Sequence, residues 1–501
     1  MFRTIAPFLR TIRWWRPVVA SVLLAAWHVA GHVRVHRALA ELAGAGWPTS
    51  RRELLAPLAE GLSPTNLPSV VVTLARELRG TRNRRRGPFD SARSTAAPGR
   101  ATDFQFSAKA LEARFRECGR GGVLSHPIPF LRYARLRNQV DDHAAILAAL
   151  AKARPLADTR PPAPLLAPGS DPEGWAVPIT DLAVLLQYQA LVAAQDGHPD
   201  VATAAIGDIL LVARAFEEFP DEHVQKTRGE IVRIAARTTA MVVSMMSVDD
   251  ARLAWIEAGF ARVPEVGPFR RAMEGHVADW IGRAMVGPRG VADLIARAPG
   301  TPSEGVPLAI LSAVHWAGGL HLRDRGRMLE SFADETRSID TAASAAVGRD
   351  AEAQVIQSRL QGARLAALCP ATQMSLEAIP WMRAEHLETL ADARAAVLVC
   401  AIERHRLAHD GELPADLSGL SADVLPEGKI PVDPFDDCPL RLQRLCTAYC
   451  VQTGRGRDYD SRDSGAEVRL MGLAVRPWGV RRNGTPEDND RRWWGGLLVD
   501  R

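Results

Sequence analysis

At 501 residues, with a net charge of +4 and nearly half of its residues apolar, the chain is too long for one ordinary core and is expected to fold as two or three units. Arginine supplies almost all the positive charge, lysine occurring only at Lys109, Lys152, Lys226 and Lys429. The basic residues are dispersed rather than striped along one face, which argues against nucleic acid as a partner.

Arg3, Arg10, Arg13 and Arg16 precede Pro17–Val33, a run without a charged residue. Its length, about 17 residues, is at the short end of what spans a bilayer. Four arginines before it, against Arg34 and Arg37 after it, place the N-terminus inside and the bulk of the chain outside the cytoplasm. Residues 1–16 then form a cytoplasmic basic tail and 17–35 a single-pass anchor in the inner (cytoplasmic) membrane. A cleaved signal peptide competes with this reading but lacks a small-x-small cleavage site. A buried or interfacial helix also competes, because two histidines weaken the span. His28, His32 and His36 repeat every four residues. Such a column suits a metal or haem held between two copies of the helix, but polar residues at a membrane boundary more often mark the interface or a helix contact.

Residues 36–103 read as a stalk and basic linker, with a continuing helix broken at Gly46-Trp47-Pro48 and a basic loop from Arg79 to Arg100. Residues 104–375 read as an irregular α-helical array. Leu182, Leu185, Leu186 and Ala193 share one stripe, and Ile206, Ile209, Leu210, Ala213 and Phe216 another. Between these two amphipathic helices, Gln195–Asp200 makes a tight turn. The pair looks like one tetratricopeptide-type hairpin, without a clean repeat after it. Pro161–Pro178 is a Pro-rich connector. Ser247-Val248-Asp249-Asp250 supplies a capping box for a helix carrying Leu253, Ile256 and Phe260.

The last unit, 376–501, opens with a long helix on which Ala391, Ala395, Leu398, Ile402, His405 and His409 share a face, leaving one side to bury. Beyond Asp410 the pattern changes to short runs punctuated by Gly, Pro and Asp. Arg441-Leu442 and Tyr449-Cys450-Val451 suit a small antiparallel sheet, and Asp433-Pro434 should make the turn leading into it. The order of this segment is an amphipathic helix, then His409-Asp410-Gly411-Glu412-Leu413-Pro414, then Leu417, Leu420 and Leu425-Pro426, then Pro431-Val432-Asp433-Pro434-Phe435. It resembles the tail of the type II secretion major pseudopilin and of a broad group of uncharacterised bacterial membrane-anchored proteins. Gly46-Trp47-Pro48-Thr49-Ser50-Arg51-Arg52-Glu53-Leu54 resembles the post-anchor segment of the same group. The resemblance implies a helix packed across the sheet, giving a small α+β pseudopilin-like module. The family's usual ending is degraded here to Gln452-Thr453-Gly454-Arg455-Gly456, and the charged extension to Arg501 is not covered.

Candidate chemistry is sparse. His405 and His409 stand four apart, a metal-ligating spacing, but without the Glu of H-E-x-x-H, and a structural role near the helix C-terminus is the simpler reading. Asp458, Asp460 and Asp463 could supply oxygen ligands, and the pseudopilin resemblance implies calcium in this region. Their spacing matches no EF-hand, and Arg455, Arg457 and Arg462 can neutralise them instead. Cys438, Cys446 and Cys450 fit no zinc pattern. Outside the cytoplasm one disulfide among them, Cys438 with Cys446 or Cys450, would leave one thiol over. No nucleophile elbow, P-loop or dinucleotide fingerprint occurs. Glu217-Glu218 and Asp249-Asp250 adjoin helix ends, where a cap or solvated charge suffices. The expectation is a mainly α, non-enzymatic, membrane-anchored interaction or scaffolding protein of the cell envelope, with no assigned catalytic residue or cofactor and with protein partners met by the helical domain. The alternative is a metal-assisted hydrolase.

Overall fold

The computed structural model describes residues 5–50, 52–55, 66–85, 130–156, 172–264, 266–285, 320–339, 370–420, 424–425, 428–435, 438–445, 448–455 and 469–475. The chain is mainly helical and begins with an apolar helix. In order, the longer elements are α1 (Ile5–Gly44), α2 (Leu67–Arg85), α3 (Phe130–Asp142), α4 (Ala144–Ala153), α5 (Pro172–Gln195), α6 (Pro199–Arg214), α7 (Glu222–Met245), α8 (Asp250–Ala261), α9 (Gly267–Met285), α10 (Leu320–Ile339), α11 (Pro370–Ala408), β1 (Arg441–Leu445), β2 (Ala448–Arg455) and β3 (Arg469–Val475). Two units form, one from residues 1–57 with 273–382, the other from 58–272 with 383–501.

In the first unit, α1 carries two stripes set by the helical repeat. Val35, Ala38 and Leu42 are buried, whereas Val18, Val22, Val29 and Val33 are 51–62% exposed. The helix α10 lies along the covered side. Gly31 lets it approach closely, since a Cβ there would stand 2.8 Å from Leu322 Cβ. The Arg323 guanidinium sits 3.6 Å from the Trp27 ring centroid, and Arg34 forks onto Glu330, with Nε to Oε1 at 2.7 Å. Residue numbers rise together along the two helices, so they run parallel. The expected break after α1 is present: Gly46 adopts φ +76 and buried Trp47 donates its N–H to Leu42 O at 2.9 Å.

In the second unit the stripes on α5 and α6 are core. Leu182, Leu185, Leu186, Ile206 and Ile209 are all buried, and the turn between the helices closes at Gly197, φ +76. Leu210 is an exception, being half-buried. Three expectations need correction. The basic loop does not begin at Arg79, because α2 continues to Arg85 with Val71, Ala75 and Leu78 buried on one face. The Pro-rich connector does not reach Pro178, which lies inside α5. A proline there cannot donate to the carbonyl four residues earlier, and Gly174 O accepts instead from Arg79 Nη1 at 3.2 Å. The cap of α8 is Asp249 rather than Ser247, its carboxylate accepting from Arg252 N at 2.9 Å, while Leu253, Ile256 and Phe260 are buried as expected.

The long helix α11 also departs from its expected single buried side. Ala391, Ala395, Leu398 and Ile402 are buried, but so are Ala396, Val397, Val399 and Cys400, which point elsewhere around the helix. Its neighbours approach from several directions. Glu385 and Glu388 pair with Arg233 of α7, Arg404 pairs with Asp250 and Glu257 of α8, and Tyr449 reaches it from β2. The chain leaves α11 through Asp410 and Gly411, both at positive φ, with Gly411 N donating to Arg406 O at 2.8 Å in a helix-terminating turn. Buried Leu417, Leu420 and Leu425 anchor the segment between α11 and the sheet. The Asp433-Pro434 turn forms as expected. The Asp433 carboxylate accepts from Phe435 N at 2.9 Å, and its own N–H donates to Cys438 O at 2.7 Å. The strands β1, β2 and β3 then make an antiparallel sheet in that order, Leu442 opposite Val451 and Val451 opposite Leu473. Gln452–Arg455, read as a degraded family ending, lies inside β2, and β3 falls in the extension for which no element was expected.

Candidate functional site

A cavity of 590 Å³ opens between α6, α7 and α8 in the second unit. Its volume is within the range of about 300–1,000 Å³ typical of small-molecule sites. The walls are largely apolar: Leu210 and Leu211 from α6, Val232 from α7, and Trp255 and Ile256 from α8. Two glycines set the spacing of the α6 and α8 walls. A Cβ on Gly207 would stand 2.0 Å from Trp255 Cη2, and one on Gly259 would stand 2.9 Å from Leu210 Cδ1. Trp255 therefore lies directly over the α6 backbone, although the residue as a whole remains 55% exposed. The turn between α6 and α7 is held by Gln225, whose side-chain amide donates to Phe216 O at 2.8 Å and Phe219 O at 2.7 Å. That turn brings Glu217 to the cavity.

Three arginines line this space, Arg214, Arg228 and Arg262, against one acid, Glu217. Arg214 and Arg262 are exposed, whereas Arg228 is only 3% exposed. Its Nε has no hydrogen-bond partner. Burial pushes the Arg228 guanidinium down to about 10, with Glu217 the single carboxylate opposing that effect. One and a half turns further along the same helix, Arg233 is also buried but is met at 2.7–2.8 Å by Glu230, Glu385 and Glu388. Burial acts to lower Arg233 too, but the carboxylates outweigh it and the net shift is upward.

A second polar cluster joins α11 to the sheet. Tyr449 OH donates to Glu403 Oε1 at 2.9 Å, and Arg406 Nε donates to Glu403 Oε2 at 2.9 Å. All three side chains are buried, as is Cys400. Burial pushes Glu403 upward against the opposing pull of Arg406 and Tyr449, and burial followed by the nearby Glu403 charge raises Tyr449. This cluster is held together by its own hydrogen bonds.

The sequence candidates do not converge. The His405 and His409 rings stack at 3.9 Å between centroids, and His409 Nδ1 lies 2.8 Å from His405 O. The pair is not on the packing face as expected, since His405 is half-buried and His409 exposed. Burial and then His409 push His405 downward. His28 is half-buried with its ring 6.4 Å from that of His321, while His32 and His36 are exposed. Glu218 pairs with Arg271 at 3.1 Å and Asp250 with Arg404 at 2.8 Å, both as charge partners. Asp458, Asp460, Asp463 and Cys446 lie outside the described residues, as does the side chain of Cys450; Cys438 is exposed. Among the described residues no group of three or more His, Cys, Asp or Glu is placed to hold a metal ion.

Arg228, Gly207 and Trp255 have no distinctive motif around them in the sequence. One signal was present: Val224, Arg228, Ile231 and Ala235 follow helical spacing, so an arginine occupies a core position of an otherwise apolar stripe. No family model matches this chain, and neither a curated protein nor a solved structure matches it.

Proposed function

We propose that the protein is a non-enzymatic, single-pass component of the cell envelope, anchored by α1 in the inner membrane, with the helical body outside the cytoplasm acting as an interaction or scaffolding module. The observation that supports it is the bare apolar stripe of Val18, Val22, Val29 and Val33 on a helix whose opposite side is covered by α10. Two helices among the described residues are long and apolar enough to cross a membrane. The stretch Ala176–Gln195 is 61% buried and belongs to the core, whereas Val18–Gly44 is 11% buried. An exposed apolar stripe of this length is costly in water and is favourable against lipid. Partners would be met by the helical array, whose α5–α6 hairpin we read as tetratricopeptide-like, and by a pseudopilin-like tail. The packing of α11 against an antiparallel sheet through Tyr449 and Glu403 is consistent with that relationship.

Alkaline carbonate extraction and topology reporters fused after Arg100 test this. Retention in the carbonate pellet with an extracytoplasmic reporter signal is expected. Intact full-length protein in the soluble cytosol would refute the proposal.

A further inference from the structure

We propose that the α6–α7–α8 cavity is a binding site for a small monocarboxylate with an apolar body, its carboxylate held by Arg228. The two buried arginines of α7 differ in how their charge is met. A buried cation is tolerated when it is paired and costly when it is not. Arg233 is met by three carboxylates, which is how this helix accommodates a guanidinium that has only a structural task. The Nε of each lacks a hydrogen-bond partner, but Arg228, equally withdrawn from solvent, lines an open cavity and has only Glu217 acting on it, at longer range. Among the described residues no carboxylate meets Arg228 at bonding distance, and the cavity leaves room for one from a ligand.

The lining dictates the chemistry of that partner. A guanidinium fork matches a planar carboxylate through two parallel N–H···O bonds. Glu217 shares the cavity, so a single negative charge suits it better than a phosphate dianion. The remaining walls, Leu210, Leu211, Val232, Trp255 and Ile256, are apolar apart from the Trp255 indole N–H, which calls for a largely apolar body. A volume of 590 Å³ holds roughly twenty water-sized groups at about 30 Å³ each, enough for a medium-length alkyl or aromatic carboxylate. Arg214 and Arg262, exposed on the cavity lining, would attract such an anion toward the opening. Gly207 and Gly259 let the α6 and α8 walls approach closely, since a Cβ at the first would stand 2.0 Å from Trp255. The cavity is built from α6, α7, α8 and the turns that follow α6 and α8, so the site stands whether or not α1 is an anchor.

The test uses full-length protein and a photoreactive diazirine analogue of decanoate, with the matching decanol analogue as the neutral control. After irradiation, labelled peptides are mapped by mass spectrometry. Labelling is expected on Pro199–Arg214 and Asp250–Ala261, competed by excess decanoate, and at least tenfold weaker with the alcohol. Arg228→Gln should reduce labelling at least tenfold, while Arg228→Lys, which keeps the charge, should retain part of it. Because Arg228→Gln also changes a buried residue, Leu211→Trp provides a second arm. It fills the cavity from a half-buried wall, leaves Arg228 in place, and should abolish labelling with an unchanged circular dichroism spectrum. Equal labelling by the alcohol, labelling that ignores both substitutions, or labelling absent from these helices in the wild-type protein would each overturn the proposal.

Discussion

Replacing Arg233 by Met probes how the second unit is held together around α7 and α11. The side chain is 10% exposed and meets Glu385 at 2.7 Å, Glu388 at 2.8 Å and Glu230 at 2.8 Å. Each contact is worth about 4 kcal/mol of Coulomb attraction at 4 Å and an effective dielectric of about 20, before desolvation is subtracted. Removing the cation leaves three carboxylates, 17–24% exposed, repelling one another beside an apolar core. Breaking a buried pair by deleting one member costs about 3–5 kcal/mol, and partial hydration of the carboxylates favours the lower end. Glu388→Gln removes one of three partners and should cost only about 1 kcal/mol. Since a two-unit chain need not unfold in one step, the assay is native-state hydrogen exchange on the peptide spanning Glu222–Met245. A loss of about 3 kcal/mol appears as roughly a hundredfold fall in protection, at 1.4 kcal/mol per tenfold. If Arg233→Met costs no more than Glu388→Gln, Arg233 does not hold α7 and α11 together.

Packing and charge set three further expected outcomes. Gly207→Val places a side chain where a Cβ alone would stand 2.0 Å from Trp255; it should cost about 1–3 kcal/mol and increase acrylamide quenching of the Trp255 emission, isolated as the difference from Trp255→Phe. The folded-state pKa of Glu403 is raised by burial, so its contribution to stability is fully present below the ordinary carboxylate range and is lost as pH rises from there to the raised value. Protection of α11 amides, corrected for intrinsic exchange, should fall over that window in the wild-type protein and stay flatter in Glu403→Gln, and parallel profiles would contradict the assignment. Tyr449→Phe strips Glu403 Oε1 of its 2.9 Å donor and should cost about 1–3 kcal/mol, read as faster exchange in β2.

What could be read from the sequence is what local geometry controls. Helical spacing places Leu182, Leu186, Ile206, Ile209, Leu398 and Ile402 on faces that must be buried, and all six are. The bare stripe of α1 is likewise legible, because about 17 residues without charge remain apolar whatever packs nearby. The turn at Asp433-Pro434 arises from the fixed φ of proline and the Asp carboxylate reaching Phe435 N. Local rules misplaced Pro178, whose orphaned acceptor Gly174 O is satisfied by Arg79, 95 positions away. They also misplaced His409, because the helical face it shares with Ile402 loses its cover at the end of α11.

Whether a buried charge is paired is a tertiary matter. Nothing near Arg233 in sequence distinguishes it from Arg228 except Glu230; its other two carboxylates lie more than 150 positions away, on α11. The fold sends those acids to one arginine and opens a cavity beside the other. The helical repeat determines which way a side chain points, but the partner it meets depends on which helices pack against it, and that is decided only when the chain has folded.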